Sequence, residues 1–551
     1  MRVLLPFLLL FCGQSLSETS VEKFAAVSKE IYERREDYSA FGSYITIVQD
    51  SKEVYTSVNG VANAEHQVPV NEDTVFDLAS IAKTVTGYAI AELEEAGALS
   101  SDADIREYLP DFPTYGHTIT VGHLVHHTSG IKNWTSLLWQ MKWPSSDRIA
   151  YDQIIRMAYA QTELDFVPGT RYQYSNTGYV LLAAIVEKVT GDSFVDWTRE
   201  NVFEPLGMAN TFFNDDQTRL IPNFAGAYFL NDEGTQVRDT NNTTALGSSS
   251  LISNGADMRK WMNFLMSPPP EKQAVVNRMM TTTPLNDGGE NTYAYGIDIE
   301  EYRGVRYINH SGSWASQTSH MVLLPDLKTS LFVAHNFRTN TGAIIKKYID
   351  TLLPEDKSDE DRSEVSPISE KVVQLSNEQL DNFIGVYQLG KAWVVTITRS
   401  GNQLFTKANG EGTFPMTPIG DNTFLIRAYG NRTMTFQQGA DGVASAVEYN
   451  NILAPKIVLN DREEVASYAE YEGVYYSVEL ELMLSFVLEE QGLFANSIRH
   501  GNFKLIAVEK DLFMGDGVVR SVKFARDQAG QVIGFHVTNS KGENRAAFTK
   551  A

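Results

Sequence analysis

The chain has 551 residues, a formal net charge of −23, 43% hydrophobic residues and a single cysteine. At roughly 100–200 residues per domain, this length predicts about three domains, and the apolar content excludes global disorder. One cysteine excludes an intrachain disulfide and any cysteine-built zinc or iron–sulfur site, and the acidic balance excludes nucleic acid as a partner.

The chain opens with Met1-Arg2-Val3, an apolar run from Leu4 to Cys12, and small residues at Ser15 and Ser17. One basic residue, a short apolar core and a small-residue site predict a secretory signal peptide over residues 1–17, cut after Ser17. Phe11 directly before Cys12 does not suit a lipoprotein signal, so no lipid anchor is expected. No other stretch offers the roughly 20 apolar residues of a spanning helix. The expected mature chain therefore has no transmembrane helix and no cysteine, and is secreted, extracellular or periplasmic. Sequons stand at Asn133, Asn241, Asn242, Asn309 and Asn431, and matter only in a host that glycosylates.

Leu78 to Gly97 reads as a helix, with Ala82, Val85, Ala89, Ile90 and Leu93 as its apolar stripe. Near its start, Ser80-Ile81-Ala82-Lys83 puts a hydroxyl and an amine on one face. A serine becomes a nucleophile once a neighbour takes its proton, and a lysine does so when burial lowers its pKa. The bland reading is a surface lysine beside a capping serine. His123, His126 and His127 resemble a metal cluster, but the carboxylates of a zinc-protease motif are missing, so packing or capping is expected and no metal or cofactor. Trp134, Trp139 and Trp143 suit a cleft wall, a core or a lid.

Tyr174-Ser175-Asn176 precedes a helix-like segment from Gly178 to Val189 that stops at Thr190-Gly191. A phenol beside an ammonium loses its proton more easily, so Tyr174 is a second base candidate. Asn176 offers a donor and an acceptor to a substrate amide. Capping of the helix is the plain alternative for both. His310-Ser311-Gly312-Ser313 ends a strand-like run from Val305 to Asn309, and a hairpin pattern follows over Ser319–Leu324 and Ser330–Asn336. Gly312 lets a substrate backbone approach the strand edge. The Ser313 amide, paired with that of Ser80, would form an oxyanion hole.

Pro354 opens a linker, residues 354–374, in which 355–364 (EDKSDEDRSE) carries six acidic and two basic residues. Beyond it the texture is all-β and repeats. Gly385-Val386-Tyr387 recurs as Gly473-Val474-Tyr475, Leu404-Phe405 as Leu493-Phe494, Phe436 as Phe524 and Gly442 as Gly530, at offsets of 88 to 89 residues. This predicts two copies of one small antiparallel barrel, at 375–456 and 462–551.

The three short motifs, in this order, resemble those of the serine β-lactamase and penicillin-binding-protein superfamily, most of all its class C-like branch of β-lactamases, D-aminopeptidases, D-Ala-D-Ala carboxypeptidases and esterases. HHTSGI at 126–131, FVPGTRYQYSNTGYVLLAAIVEKVTG at 166–191 and VFEPLGM at 202–208 carry the resemblance further. It implies an α/β (α+β) β-lactamase-like catalytic domain over 18–353, with an antiparallel sheet and a helical subdomain, ahead of two lipocalin-like barrels. It also implies Ser80 as nucleophile, Lys83 and Tyr174 as the base system, Asn176 as substrate anchor, and His310, Gly312 and Ser313 as the opposite wall. The expected activity is acyl-enzyme hydrolysis of a small molecule or short peptide, D-amino-acid-containing or a short ester. The chain is compatible with a homo-oligomer. One departure stands out. β-Lactamases and carboxypeptidases of the superfamily usually carry lysine where this chain has His310. A histidine, with an unperturbed pKa of about 6.5, is mostly neutral at pH 7. That disfavours a free-carboxylate substrate or a β-lactam. A β-lactamase or D-Ala-D-Ala carboxypeptidase, and a non-catalytic binding protein that keeps the fold, are the alternatives.

Overall fold

A six-stranded antiparallel sheet frames the first part of the molecule in this computed structural model. The structure describes residues 18–32, 41–354 and 372–551, apart from short stretches at 142, 144–145, 232–234, 392, 410–411, 427–431, 459–464, 498–500, 516–518, 520 and 539–543. The expected signal segment, nearly all of the acidic linker and the sequon at Asn431 lie outside the described residues. Contacts divide the chain into two compact units. The first runs to Asn133 and from Ser145 to Glu355; the second takes Trp134–Pro144 together with the chain after Glu355.

The sheet order is Asp298–Tyr302, Val305–Trp314, Gln317–Leu324, Thr329–His335, Ser43–Gln49 and Lys52–Asn59, each antiparallel to its neighbour. Three of these strands are buried along almost their whole length, because both faces are covered. Alternation sends Ile45, Ile47, Leu331 and Val333 to one face, against Phe24, Ile345 and Tyr348 of the helices Glu18–Tyr32 and Thr341–Asp350. Tyr44, Val48, Phe332 and Ala334 point the other way, into the main core. The helix Ala82–Glu95 lies in that core with 11 of its 14 residues buried, as expected of a helix apolar on nearly all sides.

Local boundaries differ from the sequence reading in three places, each with a physical reason. Leu78 to Gly97 is not one helix: Ala79–Ile81 forms a 3₁₀ turn before the α-helix begins at Ala82. The second helix starts at Asn176 rather than Gly178 and ends, as expected, with Gly191 in a left-handed C-cap. The strand from Val305 does not stop at Asn309. It continues to Trp314, because residues 310–314 still pair with Gln317–Met321.

The second unit contains two closed eight-stranded antiparallel barrels. In the first, Gly385–Gly390 pairs with both Trp393–Ser400 and Ile452–Ile457 and so closes the ring. In the second, Gly473–Ser477 does the same with Leu482–Glu489 and Asn544–Lys550. Side chains fill both interiors: Tyr387, Ile397, Phe424 and Phe436 in one, Tyr475, Phe486, Phe524 and Phe535 in the other. Each is a packed core of the kind expected for this strand number. The copies share detail. The Tyr387 hydroxyl donates to the Phe383 carbonyl at 2.8 Å, and the Tyr475 hydroxyl to the Tyr471 carbonyl at 2.8 Å.

Candidate active site

The turn that carries Ser80, the candidate nucleophile, is strained and tied down by several hydrogen bonds. Ala79, directly before Ser80, has φ +48°, a left-handed conformation that costs a non-glycine residue on the order of 1–3 kcal/mol. Its N–H donates to Asp77 Oδ1 at 2.9 Å, and the Leu78 N–H donates to the Leu251 carbonyl at 2.8 Å. The Ser319 hydroxyl donates to the Leu78 carbonyl at 2.8 Å. Gln317 Oε1 accepts from the Asp77 N–H, and Asn241 Nδ2 donates to Asp77 Oδ2, both at 2.8 Å. The motif residues reveal Ser80; they say nothing of Asp77, Asn241, Gln317 or Ser319, which hold it.

Lys83 comes from the first turn of the following helix and is fully buried. Its Nζ lies 3.2 Å from Ser80 Oγ, 2.7 Å from Asn176 Oδ1 and 2.7 Å from the Ser248 carbonyl. Burial lowers its pKa well below that of an ordinary lysine. A neutral amine has two N–H groups and one lone pair. Its two shortest contacts are to oxygens that only accept, so both N–H groups are spoken for. The lone pair is left for the Ser80 hydroxyl proton.

The Tyr174 ring centre is 4.9 Å from Lys83 Nζ. Burial raises its pKa above the ordinary value of 10.0, against a smaller lowering effect of the nearby Ser80. Of the two base candidates, burial thus favours the unprotonated form of Lys83 and the protonated form of Tyr174.

The histidines divide into separate tasks. His123 Nδ1 accepts the Thr120 N–H and closes a capping box. His126 Nδ1 donates to the Tyr293 carbonyl at 2.9 Å. His127, at φ +58°, shapes the bed of Tyr174: its Nδ1 accepts the Ser175 N–H at 3.2 Å and its carbonyl accepts the Gln173 N–H at 2.9 Å. Its ring centre is 4.4 Å from those of both Tyr174 and Tyr293. Of the tryptophans, Trp134 is buried, Trp143 half-buried and Trp139 exposed.

His310 is buried beside this cluster. Its Nδ1 is 2.7 Å from the Ser311 carbonyl, which can only accept, so Nδ1 carries the hydrogen. Its Nε2 therefore accepts from the Tyr293 hydroxyl at 2.8 Å. Burial above all holds its pKa down to about 3. The ring is neutral at pH 7 and both nitrogens are engaged. Tyr293, which fixes this tautomer, stands in none of the three motifs. Gly312 has a packing reason of its own. A Cβ there would lie 2.1 Å from the Leu78 carbonyl oxygen and 2.4 Å from Ser319 Oγ, so only glycine lets the strand meet the nucleophile turn. The strand Asp298–Tyr302 pairs no further than Asn309, so that among the described residues no strand pairs with the 310–314 edge on that side; Ser313 on it is exposed.

Asn176 opens its helix, and its N–H donates to Asn133 Oδ1 at 3.2 Å. Ser80, Lys83, Tyr174 and Asn176 thus meet at one point, with His310 next to Tyr174 at 6.3 Å between ring centres. Two residues met in the sequence only as glycosylation sequons, Asn133 and Asn241, are structural members of this scaffold.

The fold and site together define a serine β-lactamase/penicillin-binding-protein architecture. The family profile described as Beta-lactamase matches residues 27–352, and the chain belongs to that family. It is similar to Penicillin-binding protein 4* of Bacillus subtilis (strain 168), at 25% identity over 76% of this chain and 95% of the relative. The D-aminopeptidase of Gluconobacter oxydans (strain 621H) is 24% identical over 54% of this chain and 55% of its own length, so the chain spans about half of that relative. Among solved structures, the octameric penicillin-binding protein homologue from Pyrococcus abyssi superposes with a TM-score of 0.55, at 21% identity over 89% of this chain and 100% of that one. The D-amino acid amidase from Ochrobactrum anthropi SV3 gives 0.51, at 21% identity over 60% of this chain and 98% of that one.

Proposed function

We propose that the chain is a serine hydrolase that forms an acyl-enzyme at Ser80 and acts on small peptides, amides or esters, preferentially those with a D-amino acid at the acyl position and a free amino end. The observation that carries this is the environment of Lys83: a buried amine with both N–H groups engaged and its lone pair facing Ser80 Oγ. Lys83 takes the Ser80 proton as Oγ attacks the carbonyl carbon. The Ser80 and Ser313 amides hold the oxyanion. As the C–N or C–O bond breaks, the proton passes to the leaving group from Lys83 or through Tyr174, whose ring lies beside Lys83. Water then attacks the ester, giving its proton to the same amine, and Ser80 is restored.

The neutral His310 supports the choice of substrate. With both nitrogens engaged, it offers no cation to a substrate carboxylate, which counts against a carboxypeptidase or β-lactamase. The D-aminopeptidase and D-amino acid amidase among the similar proteins point the same way. Secretion, on the signal-like first 17 residues, belongs to the same proposal, as does self-association, by analogy with the octameric homologue. A panel of D-alanyl amides, D-Ala-D-Ala peptides, a chromogenic cephalosporin and short-chain nitrophenyl esters tests the reading. Turnover of the amides or esters is expected to exceed that of the other two. Preference for a free-carboxylate peptide or the cephalosporin would overturn it.

A further inference from the structure

A separate cavity of about 320 Å³ shares Asp77, Asn241 and Gln317 with the scaffold of the nucleophile turn, yet Ser80, Lys83, Tyr174, Asn176 and His310 take no part in its lining. Burial gives it a base and a mouth. At the base, Asp77 is 5% exposed and Thr243 is 3% exposed. At the mouth, the side chains of Arg219 and Arg238 are 40% and 55% exposed.

The base lacks a cation and leaves polar atoms unpartnered among the described residues. Asp77 is a buried carboxylate whose oxygens each take a single N–H, from Ala79 and Asn241, and no cation among the described residues pairs with it. Thr243 Oγ1 and Asn214 Oδ1 are buried on the cavity wall, and neither finds a hydrogen-bond partner among the described residues. These groups belong to one connected scaffold: the Thr243 N–H donates to Asn241 Oδ1 at 2.9 Å, and the Asn214 N–H to the Ser250 carbonyl at 2.8 Å. A buried charge without a countercharge, beside unpaired oxygens, is costly to a fold. A primary ammonium supplies both missing things, a positive charge and three N–H groups.

The mouth has the opposite character. Arg219 and Arg238 each hold one carboxylate, of Asp215 and Glu65. A guanidinium has five N–H donors, so each retains capacity for another anion. Phe224 and Ile221 supply an apolar wall. We propose that this cavity is a second ligand site that takes a free α-amino acid, its ammonium at the Asp77 end and its carboxylate toward Arg219 and Arg238. The site does not depend on the reaction at Ser80.

Titration calorimetry of the full chain with D- and L-alanine tests this, beside ethylamine and propionate, which each carry one of the two charges. Alanine is expected to bind in the millimolar range or tighter, and each single-charge probe about tenfold more weakly, because it forfeits one charge-assisted contact. Thr243→Val and Asn214→Leu should weaken alanine about tenfold, the amount lost with one hydrogen bond of ordinary strength. Ser80→Ala and Asn176→Leu should leave it unchanged. Arg238→Gln, on the exposed rim, should weaken it as well and carries no risk to the core. Melting curves verify that the variants are folded. Three results would overturn the assignment: no alanine binding up to tens of millimolar, binding abolished by Asn176→Leu but kept in the cavity variants, or ethylamine binding as tightly as alanine.

Discussion

Replacing Asp77 by Asn should change stability with a sign that depends on pH. Burial raises the Asp77 pKa from its ordinary 3.8 to about 6, against the two hydrogen bonds that lower it. The unfolded chain releases this proton near pH 4, whereas the folded chain keeps it until near pH 6. Folded protein therefore binds more protons in that window, and stability falls as pH rises through it. At about 1.36 kcal/mol per pK unit, the ionised carboxylate costs the fold about 3 kcal/mol above pH 6 and nothing below pH 4. Asparagine removes the charge and can still accept the Ala79 N–H. It brings an N–H₂ to the Asn241 amide, which now donates to Asp77 Oδ2, and losing that bond costs about 1–2 kcal/mol at any pH. Asp77→Asn should therefore stabilise the first unit by about 1–2 kcal/mol at pH 7.5 and destabilise it by about the same at pH 4. Thermal melting of both proteins at the two pH values is the assay. Equal destabilisation at both would mean that the carboxylate is not penalised by burial, and would refute the reasoning.

Other perturbations test the site itself. Lys83→Met keeps the buried stem but removes the amine, and kcat/KM should fall at least about 10³-fold with the fold intact, as expected when the base of an activated serine is lost. Gly312→Ala drives a Cβ to 2.1 Å from the Leu78 carbonyl oxygen; the strand must move, and kcat should drop about 10²-fold from misplacement of the nucleophile, read by steady-state kinetics. Tyr293→Phe leaves His310 Nε2 buried without its 2.8 Å donor, which should lower stability by about 1–3 kcal/mol in melting experiments. His310→Lys restores an ammonium beside the cleft, so the ratio of D-Ala-D-Ala peptide to D-alanyl amide turnover should rise about tenfold or more on the strength of a charge-assisted bond.

The sequence carries unequal amounts of information about fold and site. That Ser80, Lys83, Tyr174 and Asn176 come together was legible because the chemistry proposed for them needs a candidate nucleophile and base at fixed spacing on adjoining elements. The barrels were legible because Tyr387 and Tyr475 head two strands built alike, down to the same hydroxyl-to-carbonyl bond. The supports were not. Gln317 and Ser319 act through single long-range hydrogen bonds to Asp77 and Leu78, just before Ser80, and no local spacing encodes a bond between residues 240 positions apart; the Asp77 bond to the Ala79 N–H is local, but an aspartate two residues upstream belongs to none of the motifs. Asn133 and Asn241 matched a sequon pattern that has no bearing on their bonds to Asn176 and Asp77. Gly312 drew attention as a point of substrate approach; the backbone that demonstrably approaches it is that of Leu78. The early stop placed on its strand has a simple origin: His310-Ser311-Gly312-Ser313 has the composition of a turn, and only cross-strand pairing keeps it extended.

The claim on which the rest depends is that Ser80 is a nucleophile activated by Lys83. Intact-mass and peptide-mapping measurements after incubation of the full chain with a D-alanine-derived aryl phosphonate ester address it directly. One phosphonyl group should appear per chain, on the peptide containing Ser80. The label should be absent in Ser80→Ala and at least about 10³-fold slower to form in Lys83→Met. A label on another residue, or labelling of Lys83→Met at the wild-type rate, would contradict the account.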